Sequence, residues 1–182
     1  AEADAATAVV EKLHGALIES MKLGEKGGYS GRAEHLGPIV NATFDFPTIA
    51  RFVVGRSWAQ LPADRQSTFL QIFEDLSTGT YADRFDSYDN ETFRTLSAEQ
   101  QKQGYQLVKT ELVTGDGEIV KFSYLLHPVE GNWRIVNVIA DGVSDLSLKR
   151  ADYAAVIKSG GFDALIAKLR KQVADQRSAA DS

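Results

Sequence analysis

The 182-residue sequence has no cysteine, one methionine, four prolines and three histidines. Without cysteine there are no disulfides, thiolate metal sites, cysteine nucleophiles or iron–sulfur clusters. The compartment stays open, because a cysteine-free chain tolerates either redox environment. Long uncharged runs are missing too. The longest stretch free of Asp, Glu, Lys and Arg runs from His35 to Phe44, whereas a membrane-spanning helix needs about 20 mostly apolar residues. Positive charge is scarce: 20 Lys and Arg face 25 Asp and Glu, a net charge of −5. Nucleic acid is therefore not an expected partner, since its binders neutralise phosphates with a basic surface. Standing adhesion to anionic lipid is disfavoured for the same reason.

Catalytic patterns are absent as well. His14, His35 and His127 lie far apart, and no His-x-x-x-His or His-Glu-x-x-His spacing occurs, so no metal site is expected. His14, between Leu13 and Gly15, reads as a boundary residue on a helix. No Gly-x-Ser-x-Gly elbow or P-loop can be written. Gly115-Asp116-Gly117 lacks the third glycine of a dinucleotide fingerprint and falls in a hairpin. The carboxylate pairs Asp83/Asp86 and Glu74/Asp75 read as a solvated helix face. No catalytic residue and no cofactor is expected.

Hydrophobic residues make up 43% and charged residues 25%, ordinary proportions for a globular protein. One domain over residues 1–182 is expected, burying roughly 70% of its unfolded-chain surface. The start, Ala1-Glu2-Ala3-Asp4-Ala5-Ala6 without Met, is of the kind that signal-peptide removal leaves, and an exported chain is expected.

Val9, Val10, Leu13, Leu17, Ile18 and Met21 recur at helical spacing over residues 3–22, before a glycine-rich stop at Gly24 to Gly28. A short helix follows at Arg32 to Val40. Asp45-Phe46-Pro47 is a helix start, with a capping acid and proline in the first turn, and Gly55 closes that helix. Pro62 opens the longest helix, predicted to Tyr88, with Phe69, Phe73, Tyr81, Phe85 and Tyr88 on one stripe.

Strands are predicted over residues 104–113, 118–129 and 133–140, joined by turns at Thr114 to Gly117 and Glu130 to Asn132. Phe93 to Leu96 adds an edge strand. Short turns between consecutive strands make an antiparallel meander. In the middle strand Val120, Phe122, Tyr124 and Leu126 share the face to be buried. Ile135 to Ile139 is apolar on both faces, so a central or doubly covered position is expected. Helix returns after Asp141-Gly142, capped by Ser147, broken at Gly160-Gly161, and resumed through Val173. The fold class is α+β: helices packed on a curved antiparallel sheet of about four strands, enclosing an apolar cavity.

Several blocks resemble one family: Phe44 through Trp58, Thr80 through Phe85, Trp133 through Ser144, Tyr153 through Ile157, and Gly160 through Ile166. They occur in family order within about residues 5 to 170 and are similar to periplasmic phospholipid-binding proteins of the MlaC type, the toluene-tolerance auxiliary component family. Its hopanoid-associated branch, HpnM, belongs to the same group. Gly24 to Gly31 and the charged tail after Val173 depart from the family pattern.

The resemblance implies a soluble periplasmic carrier, not an enzyme, which holds lipid tails in a hydrophobic cavity. Its cargo would be phospholipid or a hopanoid-like lipid, carried between an inner-membrane transporter complex and an outer-membrane lipoprotein complex. The cavity residues would be Phe69, Phe73, Leu76, Tyr81, Phe85, Val108, Phe122, Tyr124, Val136, Val138, Tyr153 and Ile157. Arg51, Arg56 and Arg134 would serve the cavity mouth or partner docking. Two other readings compete. One is a small enzyme with a cone-shaped pocket for an apolar ring, using Tyr124 and Asp141. The other is an adaptor that presents the aromatic stripe to a partner helix.

Overall fold

A computed structural model describes residues 1–181. The first helix, α1 (Glu2–Thr43), is broken by Gly24 (φ 55°, ψ −152°) and Gly28 (φ 69°, ψ 168°). Such conformations are essentially restricted to glycine, so the predicted glycine-rich stop becomes a two-step kink within one long element. The kink is fastened from outside. Buried Arg32 donates to the Gly24 carbonyl at 2.7 Å and to the Ala82 carbonyl at 2.8 Å.

Helix α2 (Phe46–Val54) starts where the sequence predicts, with Asp45 accepting from the Thr48 backbone N–H and Gly55 (φ 78°) ending it. A 3₁₀ turn (Gly55–Gln60) leads to α3 (Ala63–Arg84). α3 stops four residues short of Tyr88. The Ala82 and Phe85 carbonyls at its end are taken by Arg32 and by the Ser20 hydroxyl of α1. Tertiary partners therefore satisfy groups that a longer helix would have bonded itself.

Five strands follow: β1 (Thr92–Gln100), β2 (Gln106–Val113), β3 (Ile119–Val129), β4 (Asn132–Ala140) and β5 (Val143–Ser144). They form an antiparallel meander in chain order. The edge strand predicted at Phe93 to Leu96 is a full nine-residue strand. β5 was not expected. Asp141 (φ 48°) and Gly142 (φ 83°) form a two-residue turn with both φ positive, the geometry that matches strand twist and returns the chain onto β4.

Helix α4 (Asp145–Asp181) is broken at Gly161 (φ 81°). Its start is capped by Ser144, not Ser147: the Ser144 hydroxyl accepts from the Ser147 N–H at 3.1 Å, and Asn137 Oδ1 accepts from the Leu146 N–H at 3.2 Å. α1 lies across β1, β2 and β4 and packs on α3; α4 packs on α2, α3 and β4.

The inner sheet face carries Val108, Thr110 and Leu112 of β2 with Tyr124 and Leu126 of β3. β4 departs from strict alternation. Leu125 pairs with Asn137 and Leu126 with Ile135, so Val136 is an extra, bulged residue. The bulge explains why Ile135 and Val136, adjacent in sequence, are both buried.

Candidate functional site

Aromatic rings form a connected path through the interior. It starts at Phe122 on β3, whose ring centroid is 6.5 Å from that of Tyr124. Tyr124 meets His14 of α1, which stacks on Phe93 of β1 at 3.8 Å. Phe93 leads to Phe85, then to Tyr81 and Phe44. From Phe44 the path passes through Phe46 and Phe73 to Phe69, where Trp58, Tyr153 and Phe162 close the helical end. Ring pairs at these separations favour edge-to-face and offset contacts and contribute about 0.5–1.5 kcal/mol each beyond area burial.

At the middle of this path lies a narrow cleft with a cavity volume of about 40 Å³. Its floor is apolar: Phe44 after α1, Phe46 and Ile49 of α2, Phe73 of α3, and Val136 and Val138 of β4. The bulge brings Val136 into this wall. The rim is polar, with Ser77, Asn137, Asp145 and Lys149. Lys149 Nζ lies 2.6 Å from both carboxylate oxygens of Asp145. Burial first, and then the charge of Asp145, push the Tyr81 and Tyr153 hydroxyls above the ordinary tyrosine value, so both stay neutral phenols.

Of the residues expected in the cavity, Phe73, Val136 and Val138 line the cleft directly. Phe69, Leu76, Val108, Tyr124 and Tyr153 are buried in the surrounding core. Tyr81, Phe85, Phe122 and Ile157 are half-buried and packed against it. Phe69, Phe73, Tyr81 and Phe85 of the predicted stripe thus pack inward, whereas Tyr88, beyond the end of α3, is exposed. Phe69 and Phe73 meet helical partners, and only Phe73 shares the cleft with β4.

Arg51 is exposed and donates to Thr48 Oγ1, and Arg134 reaches the Asn41 carbonyl at 3.3 Å. Arg56 is exposed and has no ion pair among the described residues. None of the three lines the cleft. Asp141, the second enzyme candidate, spends its carboxylate on the Lys121 N–H in the β4–β5 turn, whereas the Tyr124 hydroxyl meets His14 Nε2 at 2.8 Å.

His14 is not a boundary residue; it is buried, and burial lowers its pKa to about 4. Among the described residues no cluster of three His, Cys, Asp or Glu is placed to hold a metal. No helix among them is long and apolar enough to cross a membrane.

The sequence reading missed Phe44, Phe46 and Ile49 as cleft residues, although it placed them in a family-like block, and it missed Asp145 and Lys149 entirely. A wider groove of about 480 Å³ runs between the second half of α1 and α3. It is polar, with Glu34, Glu74 and Asp75 against Arg177 of α4; burial, then the neighbouring charge of Asp75, raises the pKa of Glu74. The narrow cleft, by contrast, has an apolar floor.

The MlaC protein family profile matches residues 11–171 of the chain. The chain belongs to the MlaC family. Among solved structures, this MlaC-family chain is similar to a phospholipid-binding protein from Ralstonia solanacearum, solved in complex with a phospholipid. Identity is 20%, the TM-score is 0.83, and the likeness covers 94% of this chain and 98% of the other. No curated protein matches the sequence.

Proposed function

We propose that this MlaC-family chain acts as one lipid-binding domain, a periplasmic carrier that holds acyl tails between its helices and its sheet. The observation that carries this reading is the apolar cleft where α2, α3, β4 and α4 meet, continuous with the ring-lined interior. The structural relative that binds a phospholipid has the same fold over nearly its whole length. The cleft is narrow, whereas pockets for ligands of lipid size run to roughly 300–1,000 Å³. Tail entry therefore requires the walls of the cleft to part. The side chains of Phe44, Phe46, Ile49, Phe73, Val136 and Val138 that form those walls meet through apolar, non-directional contacts, so tails replace them as neighbours, while the Asp45–Ile135 and Leu146–Asn137 hydrogen bonds keep the helices tied to β4 beside the cleft.

The need for a carrier is physical. Each buried methylene is worth about 0.8 kcal/mol, so a long acyl chain resists leaving a bilayer by roughly 10 kcal/mol. A protein with a dry apolar seam lowers that barrier, and a net charge of −5 discourages lingering on anionic membranes. In this role the chain docks transiently with an inner-membrane transporter complex and an outer-membrane lipoprotein complex, with the exposed Arg51 and Arg56 and the half-buried Arg134 as basic groups for docking.

Organic extraction of the purified protein followed by mass spectrometry tests the reading. Phospholipid, or a hopanoid-like lipid, is expected in near-stoichiometric amount in wild type and lost in Val138→Asp, a cleft-wall variant that keeps its circular dichroism. A wild-type extract free of lipid, or a full load in the variant, would overturn it.

A further inference from the structure

Among the described residues, one positively charged side chain lines the cleft: Lys149. Its side chain is just 29% exposed, and its Nζ lies 2.6 Å from both oxygens of Asp145, one helical turn earlier. Both residues belong to the first turns of α4, so the pair sits over the cleft opening. Two of the backbone donors that this helix start offers to an anion are already engaged. The Leu146 N–H goes to Asn137 Oδ1 and the Ser147 N–H to the Ser144 hydroxyl. An anion arriving at the rim is thus left with Lys149 as its charged partner.

Resting on the lipid-carrier reading, we propose that Lys149 is the ligand of the lipid's phosphodiester, and that Asp145 is a built-in competitor for it. When tails fill the apolar floor, the glycerol end of the lipid must lie at the rim, because a phosphate cannot be buried without matched donors. There the phosphodiester meets the ammonium of Lys149 and displaces the Asp145 carboxylate. The exchange swaps one charge-assisted contact for another, so the net gain is modest. Its role is selectivity: a lipid with the same tails but no phosphate leaves the Lys149–Asp145 pair intact and gains nothing from it. The pair also explains how a protein of net charge −5 accepts an anionic group at this spot.

The opposed roles of the two residues give opposite signs on mutation. Delipidated protein is titrated with dioctanoyl phosphatidylglycerol and with dioctanoylglycerol, which share tails and differ in the phosphate. Wild type is expected to favour the phospholipid about tenfold, the scale of one charge-assisted hydrogen bond. Lys149→Gln should abolish that preference, read as the ratio of the two dissociation constants within the variant, while Lys149→Arg should retain it. Asp145→Asn should tighten phospholipid binding several-fold relative to dioctanoylglycerol.

Inorganic phosphate at millimolar concentration should not displace the phospholipid, since the tails supply most of the affinity. Persistence of the preference in Lys149→Gln, or weaker phospholipid binding in Asp145→Asn, would overturn the proposal while leaving lipid carriage standing. Tight binding of inorganic phosphate alone that is lost in Lys149→Gln would also overturn it, making the rim a site for free anions. If wild type bound neither lipid, the carrier reading itself would fall, and this proposal with it.

Discussion

His14 shows what burial does to one titratable side chain. It sits among Phe93 and Tyr124, and its Nε2 lies 2.8 Å from the Tyr124 hydroxyl. Burial lowers its pKa from 6.5 to about 4. The unfolded chain therefore takes up a proton near pH 6.5 that the folded chain refuses until about pH 4. His14 imposes no penalty above pH 6.5, and stability is lost progressively as pH falls from 6.5 toward 4, by up to about 3 kcal/mol. His14→Gln keeps a hydrogen-bonding group and removes the titration. Urea denaturation at pH 7 and pH 5 should show a smaller loss of stability in the variant than in wild type. Equal losses would mean that another group titrates in that window. Sequence could not place His14, because its partners come from β1 and β3, 79 and 110 positions away.

At the level of elements, the corner between α1 and α2 holds the cleft wall in place. The Asp45 carboxylate accepts from the Thr48 N–H and, at 2.6 Å, from the Thr48 hydroxyl, and it lies 2.7 Å from His127 Nε2 of β3. Its backbone N–H donates to the Ile135 carbonyl of β4 at 2.9 Å. Burial alone would raise the Asp45 pKa, but the hydrogen bonds from Thr48 and His127 outweigh it and hold the carboxyl below its ordinary value.

The stabilisation from Asp45 is whole at neutral pH and fades as pH falls below the ordinary aspartate range, through the lowered native value. Asp45→Ala should cost about 2 kcal/mol at pH 7, read as a lower denaturation midpoint with unchanged slope. A midpoint within error of wild type would show that this corner is not what anchors α2. The cap itself was legible, because Asp45-Phe46-Pro47 is a local signal. The bond to His127 and the early end of α3 were not, since both are set by side chains from distant elements.

For the whole molecule, the decisive property is a seam whose cleft walls meet through apolar side chains, with hydrogen bonds between helices and β4 only beside it. Affinity for lipid should then follow tail length. At about 0.8 kcal/mol per methylene, two fewer buried methylenes should weaken binding roughly tenfold. Titrating one head group with progressively shorter chains measures this, and affinity independent of chain length would place the tails outside the seam. The meander and the α+β class were readable from alternation and turn chemistry. The inward aromatic stripe was readable from helical spacing. The cleft was only partly so. Its residues come from the α1–α2 corner, α2, α3, β4 and α4, and the family-like blocks mark Phe44 and Phe46 without saying what they face. Val136 reached the expected wall through a bulge that alternation does not foresee, and Lys149 carried no local signal beyond an Asp four positions earlier.

The bulge has a consequence for how β4 tolerates insertions and deletions. Removing one residue from a strand normally shifts every later side chain to the opposite face. At Val136 it would not, because Ile135 and Asn137 already pair with Leu126 and Leu125, neighbours on β3. Deleting Val136 would leave consecutive residues facing consecutive partners, with the ladder closed and the facing of Val138 unchanged. The variant should fold with a regular β4 and a gap in the cleft wall. Amide exchange across β3 and β4 should match wild type, while exchange lost along the whole strand pair would show that the register had moved after all.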